Sequence, residues 1–75
     1  MYYIYLIKNQ REKQTYIGYT NNLQRRIKEH IDKKPELIYY EAYKSEKDAR
    51  LRELILKQRG HTIRRLKERL KYSLT

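Results

Sequence analysis

The stretch that most constrains this chain is residues 16–30, Tyr16-Ile17-Gly18-Tyr19-Thr20-Asn21-Asn22-Leu23-Gln24-Arg25-Arg26-Ile27-Lys28-Glu29-His30. A short aromatic strand passes through glycine into a helix that carries arginine on its apolar side. Glycine in a strand marks a bulge or a close backbone approach, and Gly18 stands at the strand's end, where both are plausible. Asn21 is expected to cap the helix, with Gln24 able to bond back, and the helix to run to about Ile31. Leu23, Ile27 and Ile31 form its apolar stripe at i, i+4 and i+8, and Arg26 and His30 lie along that stripe's edge. Arg25, Lys28 and Glu29 point elsewhere and read as solvated charges.

Upstream, Tyr2-Tyr3-Ile4-Tyr5-Leu6-Ile7-Lys8 is aromatic and β-branched with apolar residues on both faces. That predicts a central strand with helices covering at least one side. Asn9 to Lys13 reads as a polar hairpin loop and Thr15 to Tyr19 as the returning strand. After Pro35, Leu37 to Tyr43 reads as a third strand. Ser45 and Asp48 predict a capping box opening a second helix that runs to about Arg59. Leu51, Leu54, Ile55 and Leu56 make that helix apolar round much of its circumference. Glu53 is the exception, set between Ala49 and Leu56 in a seam that should pack. Gly60 is expected just past its end, and Thr62 is expected to cap a third helix with Ile63, Leu66 and Leu70 on one face. Arg64, Arg65, Lys67, Arg69 and Lys71 fill the rest of that helix. The order ββαβαα predicts an α+β fold, a three-stranded, largely antiparallel sheet flanked by helices, with residues 1–75 as one domain.

A chain of 75 residues buries only about 60% of its unfolded surface, so the core is thin. With no cysteine, neither a disulfide nor a thiolate metal site reinforces it, which fits a reducing compartment. Nineteen Lys+Arg against nine Asp+Glu leave a net charge of +10, and so large an excess points to a polyanion partner, nucleic acid first. A membrane surface is the rival, but it calls for a basic helix with bulky apolar residues opposite and an anchor besides. No apolar run approaches the roughly 18 residues of a membrane span. Tyr2 to Ile7 is too short for a signal peptide and lacks its basic flank. The expected location is cytoplasmic, away from membranes. Nine tyrosines with no Phe or Trp suit either amphipathic core filling or a surface that needs several ring hydroxyls.

Arg26, His30 and Glu53 are the anomalies, because a charged group near a core needs a partner to offset desolvation. Singly, each reads as an edge residue reaching water, and Arg26 with Glu53 as a structural salt bridge. Together, on two neighbouring helices beside a tyrosine-rich sheet, an arginine, a carboxylate and phenols suit phosphodiester hydrolysis. The carboxylate can hold a divalent cation that prefers oxygen ligands and keeps several waters. That cation and the guanidinium would stabilise charge growing on the phosphate oxygens. A phenol, or His30, can orient or deprotonate the attacking water.

Tyr3-Ile4-Tyr5, then Tyr16-Ile17-Gly18, then Thr20-Asn21-Asn22-Leu23-Gln24-Arg25-Arg26-Ile27 and His30 resemble the GIY-YIG nuclease superfamily, most of all its small stand-alone bacterial members. Leu51-Arg52-Glu53-Leu54-Ile55-Leu56-Lys57 and the helix from Gly60 to Leu70 extend the likeness over essentially the whole chain. The resemblance implies a three-stranded antiparallel sheet flanked by helices and metal-dependent cleavage of a phosphodiester. By position, Tyr5 would contact the nucleophilic water or the phosphate network, and Tyr16 would be the general base or a water-orienting phenol. Gly18 would allow strand and helix to approach. Arg26 would bind the scissile phosphate, His30 would assist at the leaving or attacking side, and Glu53 would ligate one Mg²⁺ or Mn²⁺. Two departures stand out. The first tripeptide begins with Tyr3 rather than glycine, and the asparagine that many members carry near the domain's end has no counterpart, since the last here is Asn22.

Two functions follow. One is a metal-dependent endonuclease acting on DNA, structure-specific and linked to repair or recombination. The other is a basic nucleic-acid-binding module with weak or no catalysis. Either way no further domain is seen for sequence recognition, so specificity would come from DNA structure, a protein partner or oligomerisation. Lys and Arg contacts to phosphate would supply salt-dependent affinity and little sequence information.

Overall fold

In a computed structural model, which describes residues 1–31 and 34–75, the first apolar run becomes the middle of the sheet. The strands are β1 (Tyr2–Asn9), β2 (Gln14–Thr20) and β3 (Pro35–Tyr43), in the order β2-β1-β3, with β1 antiparallel to both neighbours. A central strand is covered on both sides, and Ile4, Tyr5, Leu6 and Ile7 are accordingly all buried. Successive strand residues point to opposite faces. Ile4 and Leu6 therefore belong to one face, and Tyr3, Tyr5 and Ile7 to the other.

Helices α2 (Glu46–Gln58) and α3 (Gly60–Arg69) cover the first face. Ile4, Ala49, Leu56 and Leu66 form the core there, with Ile17 and Tyr19 of β2 packed against it. Full burial of an Ile or Leu side chain contributes roughly 1.5–3 kcal/mol, so these few residues supply much of the fold's stability. The opposite face carries the shorter α1 (Leu23–Glu29), none of whose residues is fully buried. The α+β architecture and the order ββαβαα match the sequence expectation.

The ends of the elements depart from it. Asn22, not Asn21, caps α1: its Oδ1 accepts the Arg25 N–H at 3.0 Å. The Thr20 hydroxyl accepts the Asn22 N–H and donates to the Asn22 carbonyl, each at 3.1 Å. That local ring holds Asn22 in the extended conformation a cap requires. The helix stops at Glu29 with His30 as its C-cap, and Ile31 is 67% exposed, so the apolar stripe is only Leu23 and Ile27.

Ser45 occupies the N-cap of α2 without a side-chain capping bond, and the anticipated box with Asp48 does not form. Leu51 and Leu54 are exposed, which makes α2 apolar along one seam rather than around it. Arg59 is extended between α2 and α3, so Gly60 opens α3 instead of closing α2, and Thr62 falls inside the first turn. In β3, Leu6 pairs with Tyr39 but Ile7 with Leu37, leaving Ile38 as an extra residue in a bulge.

Candidate active site

Tyr5 is flanked across the ladder by Gly18 on β2 and Tyr40 on β3. Residues directly opposite each other share a face. Because Gly18 has no side chain, the Tyr5 ring lies across β2 above it. A β-carbon at Gly18 would overlap the Tyr5 hydroxyl and ring. The ring is 4% exposed, and its hydroxyl accepts a hydrogen bond from Arg26 Nε at 2.9 Å. Arg26 Nη1 donates to Glu29 Oε2 at 2.8 Å. Those bonds, the phenol's first, raise the Arg26 pKa further above its ordinary value. The side chain stays 42% exposed, and with two of its five N–H groups engaged it keeps three for a ligand. Glu29, expected to be an ordinary solvated charge, is thus the carboxylate that holds Arg26.

Tyr16 stands on β2 opposite Ile7, on the same face as Tyr5. Its hydroxyl donates to Glu12 Oε2 at 3.0 Å and to Gln14 Oε1 at 2.9 Å. The bond to Glu12, then burial and the Glu12 charge, raise the Tyr16 pKa above the ordinary phenol value. Tyr16 therefore keeps its proton at neutral pH. His30, at the end of α1, lines a small cavity together with Ile7, Asn9, Tyr16 and Pro35. One sheet face thus brings Tyr5 against Gly18 and into a hydrogen bond with Arg26, and carries Tyr16 and His30 around one cavity.

Glu53 belongs to a different element. It is on α2, which packs against Ile4, while Tyr5 points to the opposite side of the sheet. The helix faces β2 along one flank, where Arg50 sits 3.9 Å over the Tyr19 ring and Glu46 accepts from the Tyr19 hydroxyl at 2.8 Å. Glu53, three residues after Arg50, shares that flank, and β2 is an edge strand. Its carboxylate is 18% exposed and pairs with Lys57 at 3.1 Å. Among the described residues no hydrogen bond or ion pair joins Glu53 to Arg26, so the structural salt bridge between them does not form. Helix α1 packs on the Tyr5 face of the sheet and α2 on the Ile4 face.

Among the described residues no three His, Cys, Asp or Glu side chains cluster as a metal site. The donor chemistry at Glu53, one hard carboxylate, fits a water-rich Mg²⁺ or Mn²⁺ rather than a closed protein cage.

Sequence reasoning missed Glu12 and Glu41. Glu12 sits in a polar hairpin loop with no local pattern to mark it, and only the turn brings it to Tyr16. Glu41 of β3 is half-buried beneath α2, where Arg52 Nε donates to its Oε1 at 3.0 Å and Arg52 Nη2 to its Oε2 at 3.1 Å. The Tyr39 hydroxyl donates to Oε2 of the same carboxylate at 2.7 Å, and the Tyr43 hydroxyl donates to its Oε1. This second cluster consumes its own polar groups and ties α2 to the sheet.

Among the described residues no helix is long and apolar enough to cross a membrane. Compared with known families, the chain matches the GIY-YIG catalytic domain over residues 1–68. No curated protein and no solved structure gives a match. Nucleases of that family act on nucleic acid and generally use divalent metal ions. With a tyrosine pressed onto the glycine of the second tripeptide and bound to the helical arginine, the chain belongs to the GIY-YIG catalytic domain family, a family of nucleases.

Proposed function

We propose that this protein is a metal-dependent endonuclease that hydrolyses phosphodiester bonds in DNA, with Tyr5, Tyr16, Arg26, His30 and Glu53 as its catalytic residues. The observation that carries the reading is the Arg26–Tyr5 hydrogen bond over Gly18. It fixes a guanidinium with free donors on an open face of a strongly basic protein. Arg26 binds the non-bridging oxygens of the scissile phosphate and stabilises the charge that grows on them. Tyr5 accepts from Arg26 and retains its own O–H, which it offers to the phosphate or to the attacking water. Tyr16, kept protonated, orients water rather than deprotonating it, and Glu12 is the proton acceptor one hydrogen bond away. His30, beside Tyr16, assists at the attacking or leaving oxygen. Glu53 would hold Mg²⁺ or Mn²⁺, which when bound supplies Lewis-acid stabilisation of phosphate charge. The absence of cysteine supports a cytoplasmic setting.

A second reading, a basic nucleic-acid-binding module with little catalysis, is favoured by one observation. Glu53 is paired with Lys57 on the helix across the sheet from Arg26. One assay separates the two: flapped, branched and linear DNA, as met in repair and recombination, incubated with Mg²⁺ or Mn²⁺. The expected result is cleavage by the wild type. Arg26→Ala should lower the rate by about 10²–10³ with the fold intact, and Glu53→Ala should abolish the metal-dependent part. DNA binding without cleavage by the wild type, or cleavage by Glu53→Ala at the wild-type rate, would reject the nuclease assignment in favour of the binding module.

A further inference from the structure

Asn9, the last residue of β1, carries a buried polar atom that no described residue satisfies. It is 2% exposed. Its Oδ1 accepts the backbone N–H of Arg11 at 3.1 Å and of Glu12 at 3.2 Å, the pattern of an Asx turn. Two donors on that oxygen determine which end of the amide is which. The Nδ2 end, with two N–H donors, is buried without a hydrogen-bond partner among the described residues. Leaving such a donor unpaired costs about 1–3 kcal/mol, and native proteins nearly always satisfy it with protein or ordered water.

The same side chain lines the cavity shared by Ile7, Tyr16, His30 and Pro35, whose volume is about 40 Å³. A water takes up about 30 Å³ in the liquid, and an ordered internal water needs two to four polar partners. The cavity therefore has room for an ordered water. Asn9 Nδ2 supplies a donor to the water oxygen. Tyr16 and His30 on the cavity wall supply acceptors for its hydrogens, since the Tyr16 proton is already engaged with Glu12 and Gln14.

We infer that this cavity is an ordered-water site and that Asn9 is a positioning residue whose amide holds a water against His30 and Tyr16. The water ties the hairpin turn to the end of α1 and restrains the His30 ring, which is otherwise a helix-terminal side chain. The water itself follows from the cavity and the orphaned donor; its catalytic consequence rests on the nuclease reading.

Asn9→Asp separates the two roles of this side chain, because it keeps the oxygen that holds the turn and removes the N–H donors. Near-atomic-resolution diffraction from crystals of the full chain should show one ordered water within hydrogen-bond distance of Asn9 Nδ2. The variant should lose or displace it. On a DNA that the wild type cleaves, Asn9→Asp should lower kcat about tenfold to a hundredfold with KM changed less than about twofold, the signature of lost positioning. A dry cavity in the wild type overturns the inference, and that observation decides even if the variant fails to fold. An unchanged kcat in a folded Asn9→Asp overturns the positioning role. If the wild type cleaves no DNA, the nuclease reading fails separately, and the density at Asn9 still decides the water site.

Discussion

Gly18 acts through what it lacks. No glycine here has a positive φ among the described residues, so the demand at this position is space rather than backbone freedom. The Tyr5 ring occupies the volume a β-carbon would take. Gly18→Ala must push that ring away and break its bond to Arg26. We expect a loss of about 1–3 kcal/mol, typical of overpacking a tight contact, read from the urea midpoint, with cleavage falling in parallel. Tyr5→Phe keeps the ring in place and removes only the acceptor, while the 42% exposed Arg26 side chain can turn to water instead. It should cost less stability than Gly18→Ala yet still lower the cleavage rate; equal losses of stability would show that the hydroxyl, not the ring, holds the contact together. The sequence signals a close approach at Gly18. It does not reveal that Tyr5 makes it, because the pairing register of two strands is not written in either one.

At the scale of elements, the attachment of α2 to β3 is electrostatic as well as apolar. Burial pushes the Glu41 carboxyl up, but the hydrogen bonds from Arg52, Tyr43 and Tyr39 outweigh it and hold the pKa below its ordinary value. Burial, then the bond to Glu41, pushes Tyr43 up to about 12. The two shifts act at opposite ends of the pH scale. A lowered carboxyl pKa stabilises the fold above the unfolded value near 4.5 and is lost as acid protonates the folded group. A raised phenol pKa stabilises it fully below the unfolded value of 10.0 and is lost as pH rises toward about 12. Urea midpoints measured against pH should fall on both limbs, and Glu41→Gln should flatten the acid limb relative to wild type. Arg52→Ala leaves the part-buried carboxylate without its cation and should cost about 2 kcal/mol, the scale of a hydrogen bond to a charged group. A loss near zero would make the pair incidental to the packing of α2.

For the molecule as a whole, 32 × 28 × 19 Å in extent, the sheet divides two chemically different sides. One bears Arg26, Tyr5, Tyr16 and His30 around the short α1; the other bears the core, α2 and the basic α3. A net charge of +10 makes association with a polyanion salt-dependent, because each phosphate neutralised on duplex DNA steepens log K against log[salt] by about 0.9. Fluorescence anisotropy over a salt series should give a slope of about −3 or steeper, with Glu53→Ala binding no weaker than wild type. A slope near zero would remove electrostatic recognition as the basis of binding.

Several features were determined by the sequence alone. The two-sided apolarity of Tyr2 to Ile7 put that strand in the centre, period changes placed the helices and strands in order, and the charge excess and ordered tripeptides indicated the family. Such signals are local, since each rests on a repeat or a spacing within one segment. Tertiary structure decided the rest. Asn22 rather than Asn21 caps α1 because the Thr20 hydroxyl closes on it. Glu29 rather than Glu53 pairs with Arg26, and the Asn9 amide, unremarkable in a polar loop, ends up buried beside His30. Helical periodicity tells which side of a helix packs, but not which face of the sheet receives it. That choice depends on how the whole chain closes its core, and it set α1 and α2 on opposite faces of the sheet.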